Sequence, residues 1–258
     1  MRAIMTYHSL DESRSVISIA PATFRRQMEW LATSPLQVLS LTALLRPTTN
    51  ALPARDAVAI TFDDGFENFA QYAAPVLRDL ALPATLFIVS GRAGRDNRWL
   101  DVVDSAVPTL PLLDWASLAR IKADGISIGA HTRRHPRLSG CSLDELEEEM
   151  VGANDDIRHA LGEAPTTFAY PYGDVSDEAC RMAARVYGVA CTTELRVVGP
   201  GNVRERTPRL DMYYWRQEDR LTSWGRRGFQ LGLRARHSVR TLRAAAGRLS
   251  LRSERRIS

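Results

Sequence analysis

Two clusters of polar residues have the types and spacing of a catalytic metal site. Two carboxylates are adjacent at Asp63 and Asp64, and two imidazoles stand four residues apart at His131 and His135. Neighbouring carboxylates repel each other and raise the pKa of one of them unless a cation lies close by. One carboxylate and two imidazoles make a three-ligand site with open positions, which is typical of catalytic metals. The second carboxylate would then remain free to act as a base.

The elements that would position these clusters follow from the hydrophobic pattern. Short apolar runs predict strands at 3–7, 58–62, 84–90, 126–130, 167–170 and 189–193. Between them, apolar residues at helical spacing predict helices at 21–32, 68–80, 115–123, 143–161 and 176–187. This α/β alternation implies parallel strands with helical crossovers, and six or seven such units favour a barrel-like α/β fold over an open sheet. Segment 34–57 has no assignment.

Both polar clusters follow predicted strands, so a barrel would bring them to one rim. Barrel enzymes carry their working residues at the C-terminal ends of the strands. The residues that directly follow predicted strands include His8, Asp63, His131 and Pro171. Alone, each cluster also fits a simpler interpretation, namely a solvated turn for the carboxylates and an exposed loop for the histidines.

The motifs around these residues resemble those of the polysaccharide deacetylase family, also called the NodB-homology domain or carbohydrate esterase family 4. The run TFDDG that begins at Thr61 matches the first family motif, and HTRRH from His131 matches the second. The run FAYPYG from Phe168 resembles the third. The resemblance covers about residues 1–215. It implies a distorted, incomplete, TIM-like (β/α) barrel that removes acetyl groups from N-acetylated sugars with the help of a divalent metal.

The resemblance also implies roles for single residues. Asp63 resembles the general base of the family, and the backbone N–H of Tyr172 resembles its oxyanion donor. Asp64, His131 and His135 resemble the three metal ligands. Zinc is the metal that we expect, although Co²⁺ or Ni²⁺ would suit the same oxygen and nitrogen ligands. The expected enzyme is a hydrolase that acts on carbon–nitrogen bonds other than peptide bonds.

Two features depart from the family pattern. The third motif normally carries an arginine that orients the catalytic aspartate; this position is Ala169, and Arg209 could substitute for it. The closing Leu-x-His motif has no clear match. The run MTYHS at 5–9 instead resembles the start of a subgroup that includes poly-N-acetylglucosamine deacetylases, in which a permuted barrel has its general-acid histidine near the start. His8 fits that role, with a buried structural histidine as the alternative.

The substrate that the resemblance implies is an N-acetylhexosamine in a polysaccharide, such as an exopolysaccharide, or in a lipid-linked glycan precursor. Trp99, Tyr172 and Tyr213 could stack on sugar rings, with core packing as the alternative for each. Two other functions stay open. The barrel could hydrolyse another C–N bond, as an aminosugar deformylase does. The chain could also be an inactive glycan-binding protein, which would explain the missing third-motif arginine.

The charge distribution divides the chain into a predicted barrel domain, 1–219, and a basic tail, 220–258. The tail holds eleven arginines and one acidic residue, a net charge of +10, whereas residues 1–219 have a net charge of −6. Apolar residues recur at helical spacing at Leu231, Ala235, Val239, Leu242, Ala246 and Leu249. This basic amphipathic helical appendage is typical of a segment on an anionic membrane surface. Packing on the barrel or on a partner is the alternative, and no nucleic-acid partner is expected.

We expect a cytoplasmic protein whose tail lies at the inner face of the membrane. No apolar run approaches the roughly 20 residues that cross a bilayer. The first ten residues lack the apolar core of a signal peptide. Cys141, Cys180 and Cys191 are odd in number and lack metal-ligand spacing, which fits a reducing compartment.

Overall fold

A computed structural model gives the fold of residues 1–46, 56–99, 107–216, 221, 224–225, 229 and 232–233. Within these residues the strands are β1 (Arg2–Tyr7), β2 (Ser9–Leu10), β3 (Ser18–Ile19), β4 (Gln37–Val38), β5 (Ala57–Phe62), β6 (Ala84–Ile88), β7 (Ser127–Ala130), β8 (Thr167–Ala169), β9 (Val189–Cys191) and β10 (Leu210–Asp211). The α-helices are α1 (Pro21–Thr33), α2 (Leu41–Leu44), α3 (Ala74–Asp79), α4 (Trp115–Ala123), α5 (Leu143–Leu146), α6 (Gly152–Leu161) and α7 (Asp177–Val186).

The larger sheet is curled, and its strands are parallel. Its strand order is β10-β1-β5-β6-β7-β8-β9, and β4 pairs with the first residues of β5. Because the strands run in one direction, their C-terminal ends lie along the same edge of the sheet. This architecture confirms the predicted incomplete (β/α) barrel. The short strands β2 and β3 form a separate sheet directly after β1.

Residues 207–211 link the two ends of the curled sheet. The backbone of Thr207 hydrogen-bonds with β9 and with the residue that follows it, and β10 pairs with β1. Arg209 lies between these two contacts and is only 1% exposed. The hydrophobic pattern did not predict β10, because a two-residue strand is too short to have a period.

Strand alternation decides which residues of β5 enter the barrel. One hydrophobic cluster combines residues of β1, β5, β6, β8 and β9, and it therefore marks the barrel interior. Ala57 and Ala59 belong to this cluster. Successive side chains of a strand point to opposite faces, so the inward series continues through Thr61 to Asp63. The ladder extends that far, because the Asp63 N–H donates to the Tyr7 carbonyl at 3.0 Å.

The strand that carries the first histidine follows the same rule. Gly129 of β7 lies against the ring of Phe87, at a position where a β-carbon would come within 2.4 Å of that ring. Two residues further, His131 points to the same face. Its N–H still donates to the Ile88 carbonyl of β6 at 2.9 Å. The sheet therefore brings His131 and Asp63 to the same interior space.

The helices agree closely with the sequence prediction, with two internal differences. Ser142 and Glu145 form the capping box that opens α5, and Gly162, with a φ of 75°, ends α6. Between these helices the backbone widens into a π turn at Glu147–Val151, and a second π turn at Phe69–Ala73 precedes α3. Hydrophobic spacing does not reveal π turns, because each one adds only a single residue to the pattern.

Segment 34–57, which the sequence left unassigned, contains β4 and α2. Ser40 opens α2, because its side chain accepts the N–H of Ala43. Residues 47–55 of this segment lie outside the described ranges.

The beginning of the basic tail packs on the barrel. Leu221, Phe229 and Leu233 are buried in the main hydrophobic cluster. The Phe229 ring centre lies 5.7 Å from that of Trp215. Apart from residues 232–233, the predicted tail helix at 231–249 lies outside the described residues. In the part of the chain that is described, no helix has the length and hydrophobicity needed to span a membrane.

Candidate metal centre and active site

The residues predicted for the site come together at the end of the barrel formed by the C-terminal strand ends. Six of them line one pocket of about 380 Å³: His8, Asp63, Asp64, His131, His135 and Tyr172. They follow β1, β5, β7 and β8. The seventh, Arg209, contacts Asp63 from the barrel interior.

Asp64, His131 and His135 form a compact set of metal-ligand atoms. The Asp64 Oδ1 atom lies 3.5 Å from His131 Nε2 and 3.4 Å from His135 Nε2. The two Nε2 atoms are 3.2 Å apart. All three side chains are buried. This arrangement has the donor types and the spacing of a three-ligand site for a divalent cation.

The hydrogen bond of His131 also indicates that Nε2 is the ring nitrogen free to bind a metal. His131 Nδ1 lies 2.7 Å from the carbonyl oxygen of Ala169, which can only accept. The Nδ1 atom therefore carries the proton, and Nε2 keeps a lone pair that faces Asp64 and His135. A cation between these atoms would satisfy lone pairs that otherwise face one another. The residues present therefore fit a divalent metal such as zinc.

The charges of the three ligands are strongly coupled. Burial alone would raise the pKa of Asp64, but the two imidazoles that face it outweigh burial and lower that pKa. Burial also favours neutral imidazoles; for His135 it lowers the pKa, whereas for His131 the two aspartates reverse the effect and raise it. The carboxylate of Asp64 is therefore ionised and faces two imidazoles of unequal basicity. Its negative charge suits the binding of a positive ion.

Left-handed backbone conformations aim the ligands into the pocket. Asp64 has a φ of 75°, which is uncommon for a residue other than glycine. In a continuing strand Asp64 would face away from Asp63; here both carboxylates line the pocket. Thr132 and His135 have φ values of 67° and 65°. Such strained conformations concentrate at functional sites, where the surrounding contacts maintain them.

Asp63 is held by a buried bidentate ion pair. Arg209 Nη1 and Nη2 donate to its two carboxylate oxygens, each at 2.7 Å. The guanidinium is itself fixed on its other side. Its Nε donates to the Thr192 carbonyl at 3.0 Å, and the ring centre of Phe87 lies 5.5 Å from its central carbon. Ala169, where the family pattern has an arginine, is fully buried on β8. The guanidinium thus reaches Asp63 from residues 207–211.

This ion pair sets the charge of Asp63. Burial would raise the pKa of the Asp63 carboxyl, but Arg209, together with the nearby imidazoles of His131 and His8, outweighs burial and holds that pKa below its usual value. The same pairing raises the pKa of Arg209 against the effect of burial. Asp63 is therefore a fixed, ionised carboxylate at neutral pH.

His8 lines the same pocket, beside Asp63. Its Nε2 atom is 3.8 Å from Asp63 Oδ2, and its side chain is 21% exposed. That distance is too long for a direct hydrogen bond. Because the imidazole is partly exposed and lines the pocket, the alternative of a buried structural histidine does not describe His8.

Aromatic side chains enclose His135. The Trp99 ring stacks on the imidazole with centres 4.3 Å apart, and the Tyr172 ring meets it edge-on at 4.6 Å. Tyr172 has a φ of 59° and is 46% exposed. Tyr213, the third aromatic considered from sequence, does not line the pocket in the part of the chain that is described; the Arg216 guanidinium lies over its ring.

Two residues beside the site, Asn97 and Glu149, have no signal in the sequence that singles them out. Asn97 lines the pocket, and its side-chain amide joins Pro108 and Leu110 across the loop beyond Trp99. Glu149 is buried and accepts backbone N–H groups from the loop between His131 and His135. Glu149 is the last of three consecutive glutamates, and only burial distinguishes it from its neighbours.

Comparison with known proteins agrees with this geometry. The profile of the family described as polysaccharide deacetylase matches residues 51–190. The chain is 28% identical over 193 residues to the YxkH protein of Bacillus subtilis. The aligned region covers 74% of this chain and 64% of that protein. It is 23% identical over 205 residues to the poly-β-1,6-N-acetyl-D-glucosamine N-deacetylase of Staphylococcus aureus, covering 75% of this chain and 67% of that one. This chain thus spans about two thirds of the length of these relatives.

The fold has a close counterpart among solved structures. The deacetylase PplD of Streptococcus pyogenes superposes with a TM-score of 0.68 at 25% identity. The match covers 81% of this chain and 91% of the PplD chain. Similarity over such a large share of both chains indicates that this chain and PplD share the same fold.

Proposed function

Since the chain belongs to the polysaccharide deacetylase family, we propose that it hydrolyses the acetamide of an N-acetylhexosamine in a glycan and releases acetate. The observation that carries this proposal is the ionised Asp63, paired with Arg209, beside the ligand set of Asp64, His131 and His135. An amide is a poor electrophile with a poor leaving group. Its hydrolysis needs an activated water, a stabilised oxyanion and a proton for the departing amine.

Asp64, His131 and His135 would hold the divalent cation. When bound in such a site, a zinc ion lowers the pKa of water and polarises a carbonyl oxygen. Zinc is our first choice, and Co²⁺ or Ni²⁺ would suit the same ligands.

Asp63 acts as the base in this proposal. Its carboxylate accepts the proton of the attacking water, for which it must be ionised and fixed in direction. Arg209 meets both requirements, because two charge-assisted hydrogen bonds hold the carboxylate oxygens at 2.7 Å. Each carboxylate oxygen retains a further lone pair beyond the one used by Arg209.

His8 acts as the acid. Its imidazole reaches the pocket on the side of Asp63, 3.8 Å from the nearest carboxylate oxygen. A protonated His8 gives its proton to the nitrogen of the departing amine, which would otherwise leave as a strongly basic anion. The backbone N–H of Tyr172, in the turn after β8, is the proposed donor to the oxyanion.

The pocket suits one sugar residue of a longer glycan. Its volume of about 380 Å³ is near the lower end of ordinary ligand pockets. Trp99 and Tyr172 offer aromatic surface at its wall, and the apolar face of a pyranose ring can pack on such surface. We favour a β-1,6-linked N-acetylglucosamine glycan, because that is the substrate in the name of the Staphylococcus aureus relative.

An acetate-release assay tests the proposal. The full chain, loaded with Zn²⁺, is incubated with β-1,6-linked and β-1,4-linked N-acetylglucosamine oligomers, with a lipid-linked N-acetyl sugar, and with an N-formyl analogue. We expect acetate from at least one N-acetyl substrate, and loss of activity with a chelator. Formate release without acetate release would favour the deformylase alternative. Binding of the oligomers without any release, by a protein that holds zinc, would favour an inactive glycan-binding protein.

We further propose that residues 220–258 attach the enzyme to the inner, anionic face of the cytoplasmic membrane. The net charge of +10 supports this, since each basic residue near such a surface contributes about 1 kcal/mol. Because Leu221, Phe229 and Leu233 pack on the barrel, the test keeps the chain whole. A variant with Arg236, Arg240, Arg243 and Arg248 changed to Gln should lose sedimentation with anionic liposomes. Equal sedimentation of both proteins would contradict the proposal.

A further inference from the structure

The loop that carries both histidines is held from outside the pocket by the carboxylate of Glu149. Its Oε2 atom accepts the backbone N–H of Arg133 at 3.0 Å and that of Arg134 at 2.8 Å. Its Oε1 atom accepts Arg134 Nε at 2.6 Å. Glu149 is 2% exposed. A buried carboxylate is costly unless it is fully paired, and here the pairing is with the main chain of the ligand loop.

The loop conformation turns these two N–H groups outward. Thr132 and His135 have left-handed backbones, with φ values of 67° and 65°. The Thr132 hydroxyl accepts the His135 N–H at 3.0 Å and so closes the loop on its own. The imidazoles face the pocket, whereas the N–H groups of Arg133 and Arg134 between them face the helix.

The helical segment that faces the loop is adapted to this contact. Glu149 lies in the π turn between α5 and α6, and its neighbours Glu147 and Glu148 are exposed. One turn later, Gly152 leaves room for the Arg133 guanidinium, since a β-carbon there would lie 2.7 Å from it. The guanidinium continues to Asp156, with contacts of 2.8 and 2.6 Å. These contacts hold the Arg133 side chain, whereas Glu149 holds the backbone N–H groups between the two histidines. The carbonyls of Thr132 and Arg133 are held from the other side, by the N–H groups of Ser90 and Gly91 at 3.1 and 3.0 Å.

We propose that Glu149 is a positioning residue for the metal centre. By accepting two consecutive N–H groups, its carboxylate fixes the separation and direction of His131 and His135 before a cation binds. Partners one step behind metal ligands typically affect metal affinity or activity by 10–100-fold. The role rests on the proposed function, because it assumes that these histidines bind the metal.

Metal affinity, measured apart from catalysis, tests this role. The full chain is titrated with Co²⁺, whose visible absorption reports ligand geometry, and with Zn²⁺ in competition with a chromophoric chelator. We expect Glu149→Ala to weaken affinity by roughly 100-fold and Glu149→Gln by roughly 10-fold. The glutamine oxygen can still accept the loop N–H groups, so the conservative variant should partly rescue binding. Both variants should show an altered Co²⁺ spectrum.

Two matched variants separate the backbone contact from side-chain charge. Glu148 makes only a half-exposed ion pair with Arg134, at 2.9 Å; Glu148→Gln should stay within about twofold of the parent affinity, as expected for surface pairs. Arg134→Ala removes the guanidinium contact and leaves both N–H bonds, so it should also stay within about threefold. At saturating Co²⁺, Glu149→Gln should regain kcat, whereas at limiting metal it should not.

Each outcome separates the role of Glu149 from the proposed function. A folded Glu149→Gln protein with parent affinity and spectrum overturns the positioning role and leaves the metal centre intact. If Glu149→Ala does not fold, Glu149→Gln, which preserves shape and acceptor, decides. A parent protein that binds neither metal overturns the proposed metal centre itself, and the role of Glu149 with it. A lowered melting temperature with unchanged metal affinity would make Glu149 merely structural, which also overturns the role.

Discussion

Asp63 and Asp64 are neighbours in sequence but face different side chains at close range. Asp63 continues the inward face of β5 and meets the guanidinium of Arg209. Asp64 leaves the strand with a φ of 75° and faces the imidazoles of His131 and His135. Each carboxylate thus has its own positive or metal-binding environment. Their mutual repulsion, which would raise one pKa in isolation, is compensated by partners of different kinds.

The first prediction at this scale concerns the base. Asp63→Asn preserves shape but cannot accept the proton of water. Acetate release should therefore fall by at least about 100-fold. Zn²⁺ affinity should change little, because the three ligands are intact. A chelator-competition titration and an acetate assay on the same preparation measure both effects. Parent turnover in the asparagine variant would remove Asp63 from the base role.

The second prediction concerns the acid. His8→Ala removes the only imidazole of the pocket outside the ligand set among the residues described. The rate constant kcat should drop by about 100-fold, whereas KM should change by less than about threefold, since proton donation matters in the transition state. His159, exposed on α6, provides a matched control, and His159→Ala should leave both parameters unchanged. A kcat equal to that of the parent would show that another group protonates the amine.

At the scale of elements, the site depends on how closely β6, β7 and β8 approach one another. Gly129 of β7 has space for no side chain, because a β-carbon would lie 2.4 Å from the Phe87 ring and 2.7 Å from Thr167 Oγ1. His131 follows two residues after Gly129 and points to the same face. A small residue here lets Phe87 pass beneath the guanidinium of Arg209. The packing of the barrel interior and the position of the first histidine are therefore coupled.

This coupling predicts the effect of adding one methyl group. Gly129→Ala should lower the free energy of unfolding by about 1–3 kcal/mol through overpacking. Gly140 is the control, because a β-carbon added there would have no neighbour within 4 Å among the described residues; Gly140→Ala should stay within about 0.5 kcal/mol. Urea denaturation of both variants measures the difference. Equal stabilities would mean that the Phe87 ring moves aside at little cost.

At the scale of the whole molecule, residues far apart in sequence form one site because the sheet curls. His8, just after the first strand, and Arg209, in the last segment of the barrel, both approach Asp63, at 3.8 and 2.7 Å. Residues 207–211 bring Arg209 into position by bridging β9 and β1. A ligand of the pocket therefore connects the first strand, the central strands and the last segment of the barrel. Binding of a cation should stabilise the fold as a whole.

Thermal unfolding tests this expectation. A cation present at 100 times its Kd stabilises the native state by about 2.7 kcal/mol if it does not bind the unfolded chain. For a chain of this size, that corresponds to an increase in Tm of roughly 5–10 °C. A chelator should reverse the increase, and His135→Ala should abolish it. An equal increase in the His135→Ala protein would indicate that the cation binds elsewhere.

The sequence by itself determined the parts of this protein that depend on local pattern. Short apolar runs and the helical spacing of apolar residues predicted the main strands, the crossover helices and the barrel class. The positions of the polar clusters directly after predicted strands placed Asp63 and His131 on one rim of that barrel. The two histidines and the paired aspartates were identifiable because few chemistries combine those residue types at those spacings.

Only the tertiary structure decided the contacts that join distant segments. The sequence offered Arg209 only as a possible substitute for the third-motif arginine, and the curl of the sheet brings its guanidinium within 2.7 Å of Asp63. Glu149 was one of three consecutive glutamates, and a π turn and the left-handed loop opposite it distinguish its carboxylate from the others. Long-range pairing of this kind depends on how the strands pack together, and local hydrophobic periodicity carries no information about it.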